Sequence, residues 1–310
     1  MTQKYRWRSL GLSMLLVFLP AFTACSILPS LDYSRRADEL ADATGWRKQR
    51  ITSGYFDLSS YVPGTPRPER RILTVYIEGD GRAWLSTYRI SSDPTPRNPV
   101  ALKLALRHPP EQAAAYLARP CQYHGRADRA PCRPEYWSGK RFAPEVIAAS
   151  QTAVDELKHR IGADRVTLIG FSGGGAVAAL LAAERRDVAE LITVAGNLDH
   201  RAFSEHHSVT PLRGSLNPAD AWRGLRHTPQ RHLVGGSDRI VPPLVAHAYR
   251  RRFPEGQRPV VRIIEGFDHH CCWEEHWPGL LERRDGRARQ RFSGASPRTT
   301  SEALPRTDKA

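Results

Sequence analysis

Beyond its first two dozen residues the sequence has no apolar run long enough to cross a bilayer, so it gives no sign of a polytopic membrane protein. It has no internal repeat at a fixed period. The ligand spacings usual for a structural zinc site are missing, so no metal and no cofactor are implied. Acidic residues are few, 32 against 46 lysines and arginines. No reader motif accompanies that basic excess, which argues against nucleic acid as a partner. The excess is spread along the chain, a distribution that favours anionic membrane surfaces or acidic ligands instead. What is present is ordinary: 40% hydrophobic, 8% aromatic and 25% charged residues over 310 positions, enough to bury a full core.

The N-terminus has the layout of an export signal. Lys4, Arg6 and Arg8 form a basic start, and residues 10–22 are apolar apart from Ser13. The segment Phe22-Thr23-Ala24-Cys25 resembles a bacterial lipobox, with Phe22 in place of the usual leucine. The resemblance implies a signal peptide over 1–24, lipidation at Cys25, and a membrane partner reached through that anchor. Ser26 after the cysteine is similar to an outer-membrane sorting context, so the expected location is the cell envelope, on the outer membrane facing the periplasm. Residues 25–45 are expected to be a tether running into a short helix. At the other end, 283–310 is rich in Arg, Ser, Thr and Pro without apolar periodicity, and is expected to be a disordered basic tail.

Export into an oxidising compartment makes disulfides the expectation for the four remaining cysteines. Cys121 with Cys132 is the favoured pair, closing a short loop. Cys271 and Cys272 are then a vicinal pair or free thiols.

Between the two ends, β-branched and apolar runs predict strands over 51–58, 72–77, 114–117, 166–169, 191–195, 233–235 and 260–264. Helical spacing appears over 142–160, 176–186, 244–252 and 273–281. Near-continuous apolar strands alternating with helices predict one α/β domain over 46–282, with a mostly parallel sheet covered on both faces.

Gly170, Ser172 and Gly174 fit G-x-S-x-G between an apolar strand and an Ala-rich helix. A turn sharp enough to need small residues around the serine would leave its hydroxyl exposed above the sheet. This segment resembles the nucleophile elbow of the α/β-hydrolase superfamily, whose chain order is nucleophile, acid, histidine. Downstream, Gly235, Asp238, Val241 and Pro242 match the family's acid loop, G-x-x-D-x-x-V-P. His269 lies three residues after Gly266, where the family keeps its general base, with His270 as the alternative.

The resemblance spans most of 72–281 and implies a catalytic triad of Ser172, Asp238 and His269. It implies no large cap domain, since few residues separate the strands at 191 and 233. For the oxyanion hole it implies the backbone N–H groups of Gly173 and of Asp80, the latter from the loop Glu78-Gly79-Asp80. Glu78 replaces the family's usual histidine, so its carboxylate must point away or be held by a base such as Arg82. The expected activity is serine hydrolysis of an ester-like acyl bond in a small molecule or lipid.

Two other readings stay open. One is a non-catalytic envelope lipoprotein that keeps the fold for binding. The other is a metal site built from His and Cys near 269–276.

Overall fold

In the computed structural model, residues 33–65, 69–124 and 131–282 are described. The lipobox, Cys25 and the tail from 283 onward lie outside the described residues, as do 66–68 in the turn expected after residue 63.

Ten strands alternate with eight helices among the described residues. The strands are β1 Trp46–Ser53, β2 Phe56–Pro63, β3 Glu69–Ile77, β4 Trp84–Ser86, β5 Arg89–Ile90, β6 Gln112–Leu117, β7 Arg165–Phe171, β8 Val188–Val194, β9 Gln230–Gly235 and β10 Val260–Ile264. The helices are α1 Tyr33–Asp42, α2 Val100–Leu106, α3 Pro144–Ile161, α4 Gly173–Glu184, α5 His200–His206, α6 Trp222–Leu225, α7 Pro243–Arg250 and α8 Trp273–Glu282.

Eight strands form one sheet in the order β1-β2-β6-β3-β7-β8-β9-β10. Antiparallel pairing is confined to β1 with β2 and β2 with β6, and every other pair is parallel. Parallel strands require crossovers, and the helices supplying them cover both faces.

Alternation along β3 shows how the two layers arise. Leu73, Val75 and Ile77 enter one core with Val146, Val154 and Leu157 of α3 and the alanines of α4. Tyr76 enters the opposite core with Leu102 of α2 and Trp273 and Trp277 of α8. Successive side chains on a strand point to opposite faces, so β3, with helices on both sides, is apolar on both. Helix α4 is buried all round from Gly173 to Ala182, which accounts for its lack of a polar stripe.

The single strand expected over 51–58 is a hairpin. Gly54 sits at φ +74° between β1 and β2, a left-handed turn position that breaks a stretch of high β-propensity. The short helix expected near the tether is α1, and its Ala37 and Ala41 are buried in the same core as Trp46 and Tyr61. The small β4–β5 hairpin was not legible, because two and three residues are too few to show a period.

Candidate active site

Strand β7 runs up the middle of the sheet and ends at Phe171, and helix α4 starts at Gly173. Ser172 between them has φ 52° and ψ −121°, a strained conformation for a residue with a Cβ. The flanking glycines are required by close approach. A Cβ on Gly170 would lie 2.2 Å from the carbonyl oxygen of Gly174. One on Gly174 would lie 2.2 Å from that of Ile77. The G-x-S-x-G spacing thus lets α4 lie directly on the ends of β7 and β3.

The loops after β9 and β10 bring two more side chains to this point. His269 Nε2 is 3.0 Å from Ser172 Oγ, and His269 Nδ1 is 2.8 Å from Asp238 Oδ2. The other oxygen of Asp238 accepts the backbone N–H groups of Ile240 and Val241, each at 2.8 Å. Asp238 and His269 are both buried. The tautomer with its proton on Nδ1 satisfies the whole chain, leaving Nε2 free to accept from the serine hydroxyl. His270 stands outside this line. Its backbone N–H caps Asp268 Oδ1 at 2.8 Å, and burial, then the neighbouring His269, holds its pKa below the usual histidine value.

The Glu78-Gly79-Asp80 loop follows β3 and packs beside the turn at Ser172. Among the described residues no acceptor meets the backbone N–H of Asp80 or of Gly173. Gln122 Nε2 donates to the Gly79 carbonyl at 3.0 Å and steadies the loop. The disulfide between Cys121 and Cys132, with Cα atoms 5.6 Å apart, ties down the segment that carries Gln122.

Glu78 points away from Ser172, but Arg82 is not what holds it. Its carboxylate accepts from Gly79 N at 2.9 Å, from Ala101 N and Leu102 N of α2 at 3.4 Å, and from Tyr116 Oη at 3.2 Å. Burial outweighs these donors and pushes its pKa up to about 7 from the ordinary 4.5. A carboxyl that binds its proton more tightly when folded stabilises the fold fully below its unfolded pKa, and that contribution is lost as pH rises through the folded one. Wild type is therefore expected to lose on the order of 3 kcal/mol relative to Glu78→Gln between about pH 4.5 and 7. Urea denaturation at pH 5 and pH 8 checks this, and parallel losses in the two proteins would refute it.

The Asp80 side chain has partners of its own, apart from the backbone N–H considered above. Its carboxylate lies between Arg119 Nη1 at 3.1 Å and Arg141 Nη1 at 2.6 Å. Burial works to raise its pKa, yet Arg141 and Arg119 together hold it below the usual carboxylate value. Nothing in the sequence marked either arginine, because each reaches Asp80 only through the fold. Asn197, after β8, was also missed. Its backbone N–H donates to the Ser172 carbonyl at 3.0 Å, and its buried Oδ1 has no hydrogen-bond partner among the described residues.

The residues behind the metal reading have other partners. Cys271 and Cys272 are joined to each other, Glu274 faces Lys103 and Arg107 at 3.3 Å, and His276 Nδ1 meets the Cys272 carbonyl at 3.0 Å. Among the described residues no group of three or more His, Cys, Asp or Glu is arranged to hold a metal ion.

Ser172 and His269 open into a cavity of about 430 Å³. Phe203, Ile240 and Val241 line it from the chain after β8 and β9, and Arg82, Trp84 and Arg97 from the chain between β3 and α2.

Neither a family profile nor a curated protein sequence matches this chain. Solved structures do. The Pyrococcus furiosus esterase Pf2001 aligns with a TM-score of 0.53 over 76% of this chain and 90% of its own, at 13% identity. Est1E from Butyrivibrio proteoclasticus gives 0.51 over 76% and 95%, also at 13% identity. The alpha/beta hydrolase GrgF from Penicillium sp. sh18 gives 0.50 over 76% and 94%, again at 13%. With its central parallel sheet, helices on both faces and a serine elbow after a middle strand, this chain has the α/β-hydrolase fold.

Proposed function

We propose that this chain is a serine hydrolase that cleaves ester-like acyl bonds in a small molecule or lipid. The observation that carries the reading is the unbroken hydrogen-bonded line from Ser172 through His269 to Asp238, opening on a cavity. A binding protein has no need of a strained serine aligned with a buried histidine and carboxylate. The names of the two similar esterases are in keeping with it.

In this mechanism His269 Nε2 takes the Ser172 proton as Oγ attacks the acyl carbon. Asp238 holds the ring and stabilises the imidazolium. The N–H groups of Gly173 and Asp80, with the N-terminal end of α4 behind the first, receive the charge that develops on the carbonyl oxygen. Collapse breaks the bond to the alcohol, which leaves with the proton from Nε2. Water then attacks the acyl-enzyme and gives its proton to Nε2. That proton returns to Ser172 Oγ as the acid departs.

The reading extends to location. Cys25 is taken as the lipidated first residue of an exported protein, on the strength of the lipobox pattern, and the Cys121–Cys132 disulfide suits an oxidising envelope compartment. Eight residues from Cys25 to Tyr33 reach at most about 30 Å, so the catalytic domain would stay close to its membrane. A fluorophosphonate probe tests the enzymatic core of the proposal, with one phosphonyl group on Ser172 as the expected product.

A further inference from the structure

Among the described residues two carboxylates line the cavity, and both are already engaged. Glu78 is turned into the N–H groups of α2, and Asp80 lies between Arg119 and Arg141. Two cavity arginines therefore remain without a counter-charge. Among the described residues neither Arg82 nor Arg97 has a carboxylate within 4.0 Å or a side-chain hydrogen bond. What each has is an aromatic ring, and it is the same one. The guanidinium carbons lie 5.8 and 5.7 Å from the centroid of Tyr33 on α1. Stacking on a ring orients a guanidinium while leaving its N–H groups free to donate.

The sheet order places these cations relative to the chemistry. Arg82 follows β3, and its backbone N–H is joined to the Pro94 carbonyl of the strand of chain that carries Arg97. Strand β7, which presents Ser172, lies between β3 and β8. Phe203, Ile240 and Val241 come from beyond β8 and β9, on the other side of the serine. A ligand spanning the cavity would meet an apolar wall on one side of Ser172 and two unneutralised guanidinium groups on the other. Arg82 is half-buried and Arg97 exposed, so an anionic group entering from solvent could reach both.

Resting on the proposed serine chemistry, we infer that the substrate is an ester that carries an anionic group, a carboxylate or a phosphate, bound by Arg82 and Arg97 on the β3 side of Ser172. Planar forked donors match both anions, and an apolar portion of the same molecule would lie toward Phe203 and Ile240. Tyr33 makes α1 part of this site, which gives the N-terminal helix a task beyond packing.

The test compares wild type with the Arg82→Gln/Arg97→Gln double variant on two matched pairs. One pair is nitrophenyl hemisuccinate and its methyl ester, and the other is a monoacylglycerol phosphate and the monoacylglycerol. In wild type the charged member of one pair should have a kcat/KM at least tenfold above its neutral partner, and that ratio should fall at least tenfold in the double variant. The pair that responds tells carboxylate from phosphate. A ratio near one in both pairs, or one unchanged in the variant, overturns the inference.

A second arm measures equilibrium binding of the same esters to Ser172→Ala, which leaves both arginines in place. It should show the same tenfold preference, weakened by high salt. Binding preference with no turnover by wild type would sink the serine-hydrolase reading and keep the anion site. Turnover that depends on Ser172 but ignores charge would do the reverse.

Discussion

Asp238→Asn is expected to lower kcat by about 10⁴-fold while leaving the fold intact. The reason lies in the two backbone N–H groups that Asp238 already accepts. Ile240 N and Val241 N both donate to Oδ1, so an asparagine must present its carbonyl oxygen to them. Its NH₂ is then forced toward His269 Nδ1, where the carboxylate stood at 2.8 Å. An amide donor there stabilises the tautomer protonated on Nε2, and that proton points at Ser172 Oγ instead of an open lone pair. The base is lost without loss of packing, because the substitution preserves shape and both backbone bonds. Steady-state kinetics with a short-chain nitrophenyl ester, alongside thermal melting, checks both halves. A fall of less than tenfold in a folded variant would remove Asp238 from the account.

Gly173→Ala should cost on the order of 100- to 1000-fold in kcat, with much less change in KM. A Cβ at position 173 would lie 2.1 Å from Asp80 Oδ1, and that carboxylate cannot swing aside. It is held by two arginines, Arg119 and Arg141, whose side chains are themselves almost wholly buried. The clash must therefore separate the two backbone segments that present the Gly173 and Asp80 N–H groups. Donors have to stand about 2.7–3.1 Å from the developing oxyanion, so a small separation disarms them. In the proposed mechanism the Asp80 side chain thus acts as a clamp on the hole to which its own backbone would contribute. Undiminished kcat in a folded Gly173→Ala protein would place the hole elsewhere.

The features of this site differ in how legible they are in the sequence. The elbow could be read because its demands are local. Gly170 and Gly174 answer to carbonyl oxygens a few residues away or on the adjoining strand. Asp238 and His269 were expected from resemblance to the family's acid loop and histidine position, both of which are local patterns after a strand. Spacing from Gly266, set against the family's pattern, favoured His269 and kept His270 as the alternative. The structure places the His269 ring within hydrogen-bond distance of both Ser172 and Asp238, while His270 lines the same cavity without either contact. The substitution of Glu78 for a histidine was visible, but its partners on α2 and β6 were not. Arg119 and Arg141 lie 39 and 61 residues from Asp80, so their convergence belongs wholly to tertiary structure. The hairpin of β1 and β2 was missed for the opposite reason. Gly54 carried the signal, and the β-propensity on either side masked it.

The central claim is that Ser172 is an activated nucleophile, and covalent labelling of the purified oxidised protein by a fluorophosphonate tests it most directly. The account predicts one phosphonyl group per chain, mapped to the peptide containing Ser172. Labelling should be absent from Ser172→Ala and slowed at least a thousandfold in His269→Ala, which keeps the hydroxyl but not its base. Wild type that stays unlabelled while folded, or label found on another residue and retained in Ser172→Ala, would contradict it.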